Sequence, residues 1–272
     1  MRREVVAFLG FFERQKNLAR RYWAWEVVWL VYSLVSVLSI GFLASGLGAM
    51  GRSAAFDLRQ AQLYLLIGSV LWGYMSMVFA EIAYAIGWER WEGTIEHTFM
   101  APVRRATHLL GICAFAMLYG LARTLLVLVV AELLFHLDFS HTDAASAVVV
   151  LVASTPALVG LALLAAVLPL LSPEKGEQMT VAVQGVILLV SGVYYPISVL
   201  PAPLQLLGRI SPMTYMLDAI RRSFLEDQRV AQLAPELGLL LGMGLLLIPA
   251  GMVVFGRAER RAKRLGLLKR SG

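Results

Sequence analysis

The first candidates for chemistry are the ionisable side chains inside long apolar runs: Arg123, Glu132 and Glu81. A charge in hydrocarbon is costly, so such residues default to substrate or ion pathways, or to ties between helices. Arg123 and Glu132 are nine residues apart. On a helix that places them on opposite faces, about 13–14 Å apart along the axis, so they do not pair. Arg123 falls near the middle of its run and needs a carboxylate, backbone carbonyls or water from another helix. It either lines a polar path or ties helices together. Glu81 and Glu132 lie nearer the ends of their runs, where a charge is less expensive.

Other chemistries find little support. His136, Asp138, His141 and Asp143 are residue types that suit zinc or copper. Four such residues on one short loop rarely close a tetrahedral site alone, so a polar loop without metal is expected. No His-Glu-x-x-His or Gly-x-Ser-x-Gly occurs, and no catalytic residue is assigned. No Walker A glycine loop occurs either, so the chain does not split ATP by that route. Energy for any work must come from a partner or from an ion gradient. Cys113 is the single cysteine, which rules out an intrachain disulfide.

The elements that would position these residues are membrane spans. Of the 272 residues 59% are hydrophobic and 15% charged, and mean hydropathy is +0.72. One soluble core could not hide that much apolar surface. Six stretches are long enough to cross about 30 Å of hydrocarbon as helices: 27–48, 63–86, 109–135, 145–171, 181–199 and 237–255. The alternation of a membrane barrel is absent. The net charge of +6 could suggest nucleic acid, but the arginines sit at the ends of apolar segments, as in a membrane protein. Lys and Arg outside the spans number seventeen on one side and six on the other, which predicts both termini in the cytoplasm.

The N-terminal segment, residues 1–22, reads as an interfacial helix. Val5, Phe8, Leu9 and Phe12 share one face, and Arg3, Arg14, Asn17 and Arg21 lie opposite. Trp23, Trp25 and Trp29 follow at interface depth. Residues 23–256 form the expected transmembrane domain, with a basic cytoplasmic tail at 257–272.

The connection from Gly87 to His108 is far longer than a turn requires. Thr94 could cap a short helix holding Ile95, Glu96, Phe99 and Met100, which Pro102 would end. Ile95 and Phe99 share a face, with Glu92 and Glu96 near them. An apolar knob ringed by acids suits a basic cleft on a soluble partner. The alternative is a helix resting on lipid, where acids sit poorly against anionic headgroups.

Two segments carry a resemblance. The first is Glu89-Arg90-Trp91-Glu92-Gly93-Thr94-Ile95-Glu96, followed by Ala101-Pro102-Val103. The second runs from Ser191-Gly192-Val193-Tyr194-Tyr195-Pro196 through Pro201 and Ile210-Ser211-Pro212 to Asp218-Ala219-Ile220-Arg221-Arg222. In this order they resemble the coupling-helix region and the segment after the fifth span of ABC-2 type transporter permeases. The aromatic start, Trp88 and Trp91, departs from that pattern.

The resemblance implies an all-α membrane protein of the plasma membrane, with six transmembrane helices. It adds the N-terminal amphipathic helix, a cytoplasmic coupling helix, and re-entrant outer helices before the last span. The chain would pair with a second copy, most simply as a homodimer, and with two separate ABC ATPase subunits that carry ATP and Mg. Nothing implies a cofactor on the chain itself. Carried over residue by residue, Glu92, Gly93, Thr94, Ile95, Glu96 and Phe99 would form the ATPase-docking surface. Pro196, Pro201, Pro212 and Arg221 would belong to the re-entrant segment. That segment also reads so from its residues, since its prolines break any long helix while its leucines still need burial.

The translocation path is expected between copies of the second and fifth spans, with Met75, Met77, Phe79, Val186, Leu189, Val193 and Tyr194 supplying an adaptable apolar lining and Arg123 a polar one. That lining points to export of a drug-like or lipid-like amphiphile. A permease for lipid-linked glycans is the alternative within the family. A carrier driven by an ion gradient is the rival from another class, and it would need more ionisable groups at the midplane.

Overall fold

The computed structural model describes residues 2–50, 58–135 and 143–268, all helix and connection with no strand among them. Helices α1 (Arg2–Arg21) and α2 (Trp23–Met50) are followed by α3 (Leu58–Trp91), the short α4 (Ile95–Met100) and α5 (Arg105–Phe135). Next come α6 (Ala144–Ala165), α7 (Val167–Leu171) and α8 (Gly176–Val190). A 3₁₀ turn at Ile197–Val199 leads to α9 (Ala202–Ile210), α10 (Pro212–Leu225) and α11 (Ala234–Arg264). Five helical stretches are long and apolar enough to cross a membrane, with α6 and α7 together forming one of them.

The expected span at 181–199 differs from the structure. Its helix α8 has 15 residues and stops at Val190, so it reaches about 22 Å, short of the hydrocarbon thickness. The apolar run continues past it, but Gly192 adopts φ +74° and Pro196 is itself extended. Proline disfavours helix at the residue before it, so hydropathy alone overshoots the end. At the other terminus, α11 passes Phe255 without a break and carries 257–264 as one helix with the apolar stretch. The basic tail expected to start at residue 257 is therefore largely an extension of that helix.

The core forms where α3 runs along α5 and α6, and α6 along α11. Tyr74, Met75, Phe79, Ile82, Ile86, Leu158, Leu163 and Phe255 are its large fully buried side chains. Within it the Tyr74 hydroxyl meets Thr155 Oγ1 at 2.6 Å, which pairs two polar groups that hydrocarbon would otherwise leave unmet. A second, smaller cluster (Val37, Leu66, Val70, Val127 and Ala131) holds α2 against α3 and α5.

Small residues let α6 and α11 approach closely, as is usual between membrane helices. A Cβ added at Gly160 would lie 2.5 Å from the Leu247 Cβ. One at Gly244 would lie 2.7 Å from Pro156, and one at Gly251 2.8 Å from Leu163. Gly160→Leu is therefore expected to destabilise the fold by about 1–3 kcal/mol through overpacking. Gly238→Leu, at a position open to its surroundings, should leave the thermal unfolding midpoint of the detergent-purified chain unchanged.

Candidate functional site

Both termini of the described chain and the α4 connection meet at one end of the bundle. There α3 ends at Trp91, and Gly93 turns the chain at φ +73°, which a side chain would strain. The turn closes with Thr94 N–H donating to the Glu89 carbonyl at 2.8 Å. Thr94 does not cap α4 through its side chain. Its hydroxyl instead donates to the Glu89 carbonyl and accepts from Arg14 Nη2 at 3.0 Å.

Two residues expected on the docking surface are buried within the chain. Ile95 is fully buried and Phe99 is 3% exposed, both inside the chain's own core. Phe99 lies under the Arg105 guanidinium, 4.1 Å from its ring centroid, and edge-on to His108. The apolar face that periodicity identified is turned inward, with Arg105 and His108 of α5 against Phe99 and Lys263 of α11 at its carbonyl. The face left open carries Glu96, His97 and Met100, the last 82% exposed, with Trp91 exposed beside it. Glu92, Gly93 and Thr94 are half-buried.

Cations anchor this small helix. Arg105 donates to the Thr98 and Phe99 carbonyls, and Lys263 Nζ reaches the Phe99 carbonyl at 3.2 Å. Positive side chains at carbonyl ends satisfy groups that the helix itself leaves unbonded. Glu259 on α11 holds both cations in place, accepting from Arg105 Nε and Nη2 at 2.9 and 3.0 Å and pairing with Lys263 at 2.9 Å. Arg90 is buried and donates to the Pro169, Leu170 and Leu267 carbonyls, joining α3 to the end of α7 and to the turn after α11.

Helix α1 joins the same end through a network that sequence reasoning missed. Arg14 pairs with Glu89 at 2.6 Å and Glu92 at 3.2 Å. Glu89 and His108, each 1% exposed, are 2.9 Å apart. The expected basic face of α1 is thus divided: Arg14 turns inward, while Arg3, Asn17 and Arg21 stay exposed. Phe8, Phe11 and Phe12 are half-buried, with the Phe11 ring tilted against His108 at 4.6 Å and Phe12 edge-on to Phe115. Val5 and Leu9 are exposed. Acid-base spacing along one helix could not reveal a pair 75 residues apart.

At the opposite end, Arg221 is buried on α10 and donates to the Gly192 carbonyl at 2.8 Å and the Val193 carbonyl at 2.6 Å. It also reaches the Tyr64 carbonyl at 3.2 Å and lies over the Tyr64 ring. This guanidinium therefore closes the break after α8. Pro201 leads into α9, and Pro212 opens α10 in its first turn, where a missing N–H is harmless. Pro196 precedes the 3₁₀ turn. Asp143 caps α6, and the Ser146 hydroxyl and N–H that donate to it hold its carboxyl below the usual range. His136, Asp138 and His141 lie outside the described residues. Among the described residues no group of three metal-type ligands gathers.

The expected path residues separate. Met75, Phe79 and Val193 are fully buried within the chain. Val186 and Leu189 on α8 are exposed, and Tyr194 is half-buried. Arg123 bridges helices, donating to Ser33 Oγ on α2 at 2.8 Å and to Met77 Sδ on α3 at 3.7 Å.

Bundled apolar helices, a short anchored helix at one end and a clamped helix break at the other define a multi-pass membrane protein of the transporter kind. The profile of the ABC-2 type transporter family matches residues 8–225. The chain belongs to that family, as a membrane permease. No curated protein matches it.

The anchoring of α4 is measurable. Glu259→Leu releases Arg105 and Lys263 from their common acceptor, so hydrogen exchange at the 98–101 amides should accelerate by about tenfold or more. Exchange in the α6 interior should not change.

Proposed function

We propose that this chain is the permease subunit of an ATP-driven exporter of hydrophobic or amphipathic compounds, powered by a separate nucleotide-binding subunit through α4. One observation carries the reading: α4 presents Glu96, His97 and Met100 outward, while its inner face is locked to α3, α5 and α11. A protruding helix without such anchorage would fold over under load. An open groove beside it, lined by Glu13, Arg14, Asn17, Arg21 and Glu92, offers polar surface to the same partner. Met100 is the apolar anchor of the docking surface, and Glu96 favours a basic cleft around it.

In this reading two permease copies pair, each served by one ATPase that holds ATP and Mg. Both termini and α4 are cytoplasmic, and the plasma membrane is the site of action. Support comes from the family, whose permeases generally work with ATPase partners, and from the positive charge at the α4 end. Helix α8 together with the 191–199 segment completes a sixth crossing, and α9 and α10 lie re-entrant in the outer leaflet. The exposed Val186–Leu189 face of α8 faces the second copy, and the passage lies there and not along α3. Apolar surface of this kind favours an amphiphile over a glycan.

The test is co-purification of the ATPase encoded with the permease. Met100→Asp combined with Glu96→Lys should abolish association by weakening it at least about tenfold, with the thermal unfolding midpoint unchanged. Ile95→Asp should instead lower that midpoint, because it places a charge in the core. Retained association in the double variant removes the docking assignment. Transport by the permease alone in liposomes, driven by a pH or sodium gradient, overturns the exporter reading.

A further inference from the structure

Beneath α4 a chain of side chains runs from α1 to α11, each touching the next: Glu92, Arg14, Glu89, His108, Arg105, Glu259 and Lys263. Three carboxylates stand against three cations, with the imidazole between the two halves. That middle is dry, since His108 and Glu89 are each 1% exposed. The groove lined by Arg14 and Glu92 brings solvent to the α1 end of the chain.

The two ring nitrogens of His108 meet opposite demands. Arg105 Nη1 lies 3.3 Å from Nδ1. A guanidinium can only donate, so Nδ1 must accept and carries no proton. Nε2, 2.9 Å from Glu89 Oε1, then holds the ring's proton and donates it. The contacts select one neutral tautomer.

A second proton has only Nδ1 to go to. There it removes the acceptor and sets an imidazolium against a guanidinium in a buried place. Glu89 draws the imidazolium toward itself, but that pull acts on the far side of the ring and gives Arg105 no acceptor. Other groups around the ring supply none either. Phe11 of α1 and Phe99 of α4 face it with their rings, and Glu4 takes the hydroxyl of Thr107 beside it. The titratable residues of α4 itself, Glu96 and His97, are exposed on the outer face.

The consequence for α4 follows from a shared atom. Arg105 Nη1 also donates to the Thr98 carbonyl at 3.4 Å, so displacing it from the ring withdraws it from the last turn of α4. Lys263 still reaches the Phe99 carbonyl, and the helix loosens without detaching.

We infer that His108 is a proton-operated latch for α4: a neutral ring keeps Arg105 under the last turn, and a second proton on Nδ1 releases it. The held arrangement carries one proton fewer, so it prevails at higher pH and gives way as pH falls. As control over coupling to an ATPase this rests on the exporter reading above. The latch itself does not.

The test compares the full-length permease in neutral detergent at about pH 7.5 and about pH 5.5, the interval over which imidazoles commonly gain a second proton. Hydrogen exchange at the 98–101 amides, corrected for its intrinsic pH dependence, should show about tenfold lower protection at the lower pH, with the α6 interior equally protected at both. His108→Gln supplies an amide oxygen that accepts and a nitrogen that donates, and it does not titrate. It should abolish the pH response, whereas His97→Gln should retain it. In a chain whose other three histidines, His97, His136 and His141, are changed to Gln, nitrogen NMR should find the remaining ring protonated at Nε2 alone at about pH 7.5.

A flat exchange profile in the wild-type chain overturns the inference. So does a pH response that persists in His108→Gln, or a ring protonated at Nδ1 at the higher pH. Co-purification of the ATPase separates the two proposals. Association should weaken at the lower pH in the wild type and hold in His108→Gln. Exchange that responds to pH while association ignores it sinks the control over coupling, and no association at either pH sinks the exporter reading while the exchange result stands.

Discussion

A backbone carbonyl left open in lipid has no water to turn to, and this constraint explains the placement of most buried cations in this protein. At three helix ends inside the bundle, a guanidinium or ammonium arrives from another element. Arg90 serves the end of α7 and the turn after α11, Arg221 the chain past α8, and Arg105 with Lys263 the end of α4. Arg90, Arg221 and Lys263 come from elements remote in sequence, so their closures are also tertiary ties, whereas Arg105 comes from the next helix. A polar group expensive to bury thereby becomes a fixed joint between helices.

The same constraint reassigns the residues that looked most like sites. A buried arginine in an apolar chain defaults to a functional hypothesis, and Arg221 fits that pattern by composition alone. Its three carbonyl partners show a structural closure instead. Arg123 differs in kind. Its partners are side chains of α2 and α3, no broken backbone needs it, and charged neighbours remain around it. That contrast separates a backbone closure from a side-chain tie between helices more sharply than depth in the membrane does.

The helices were legible because hydropathy over twenty residues is a strong signal, and the α3–α4 turn because Gly93 and Pro102 punctuate it. The end of α8 was not, since Val193, Tyr194 and Tyr195 are as apolar as a span while Gly192 and Pro196 redirect the backbone. The position of helix α4 and its apolar face were legible. The identity of the covering surface was not. A helical stripe such as Ile95 and Phe99 says that something must bury it, and only the fold shows that the chain's own core does so, with Arg105 and His108 of α5 against Phe99. Pairings such as Arg14 with Glu89 or Arg105 with Glu259 join distant elements, and no local rule reaches them.

Helix α3 ties the two ends of this arrangement together. It has 34 residues with no proline inside, and such a helix moves as a rod. Near one end Glu89 and Arg90 bind α1, α5, α7 and the turn after α11. Near the other, the Tyr64 carbonyl and ring receive Arg221, and Gly68 passes so close to the Val193 carbonyl that a Cβ there would lie 2.1 Å from it. The two sets of contacts are about 40 Å apart along one axis. Through α3, a displacement of the α4 end therefore reaches the break after α8 in only two ways: the rod shifts as a unit, or one of its clamps opens. Because Gly68 leaves no slack at the break, a shift of the rod must drag the Gly192–Val193 turn with it. The packing leaves that turn no independent position to occupy.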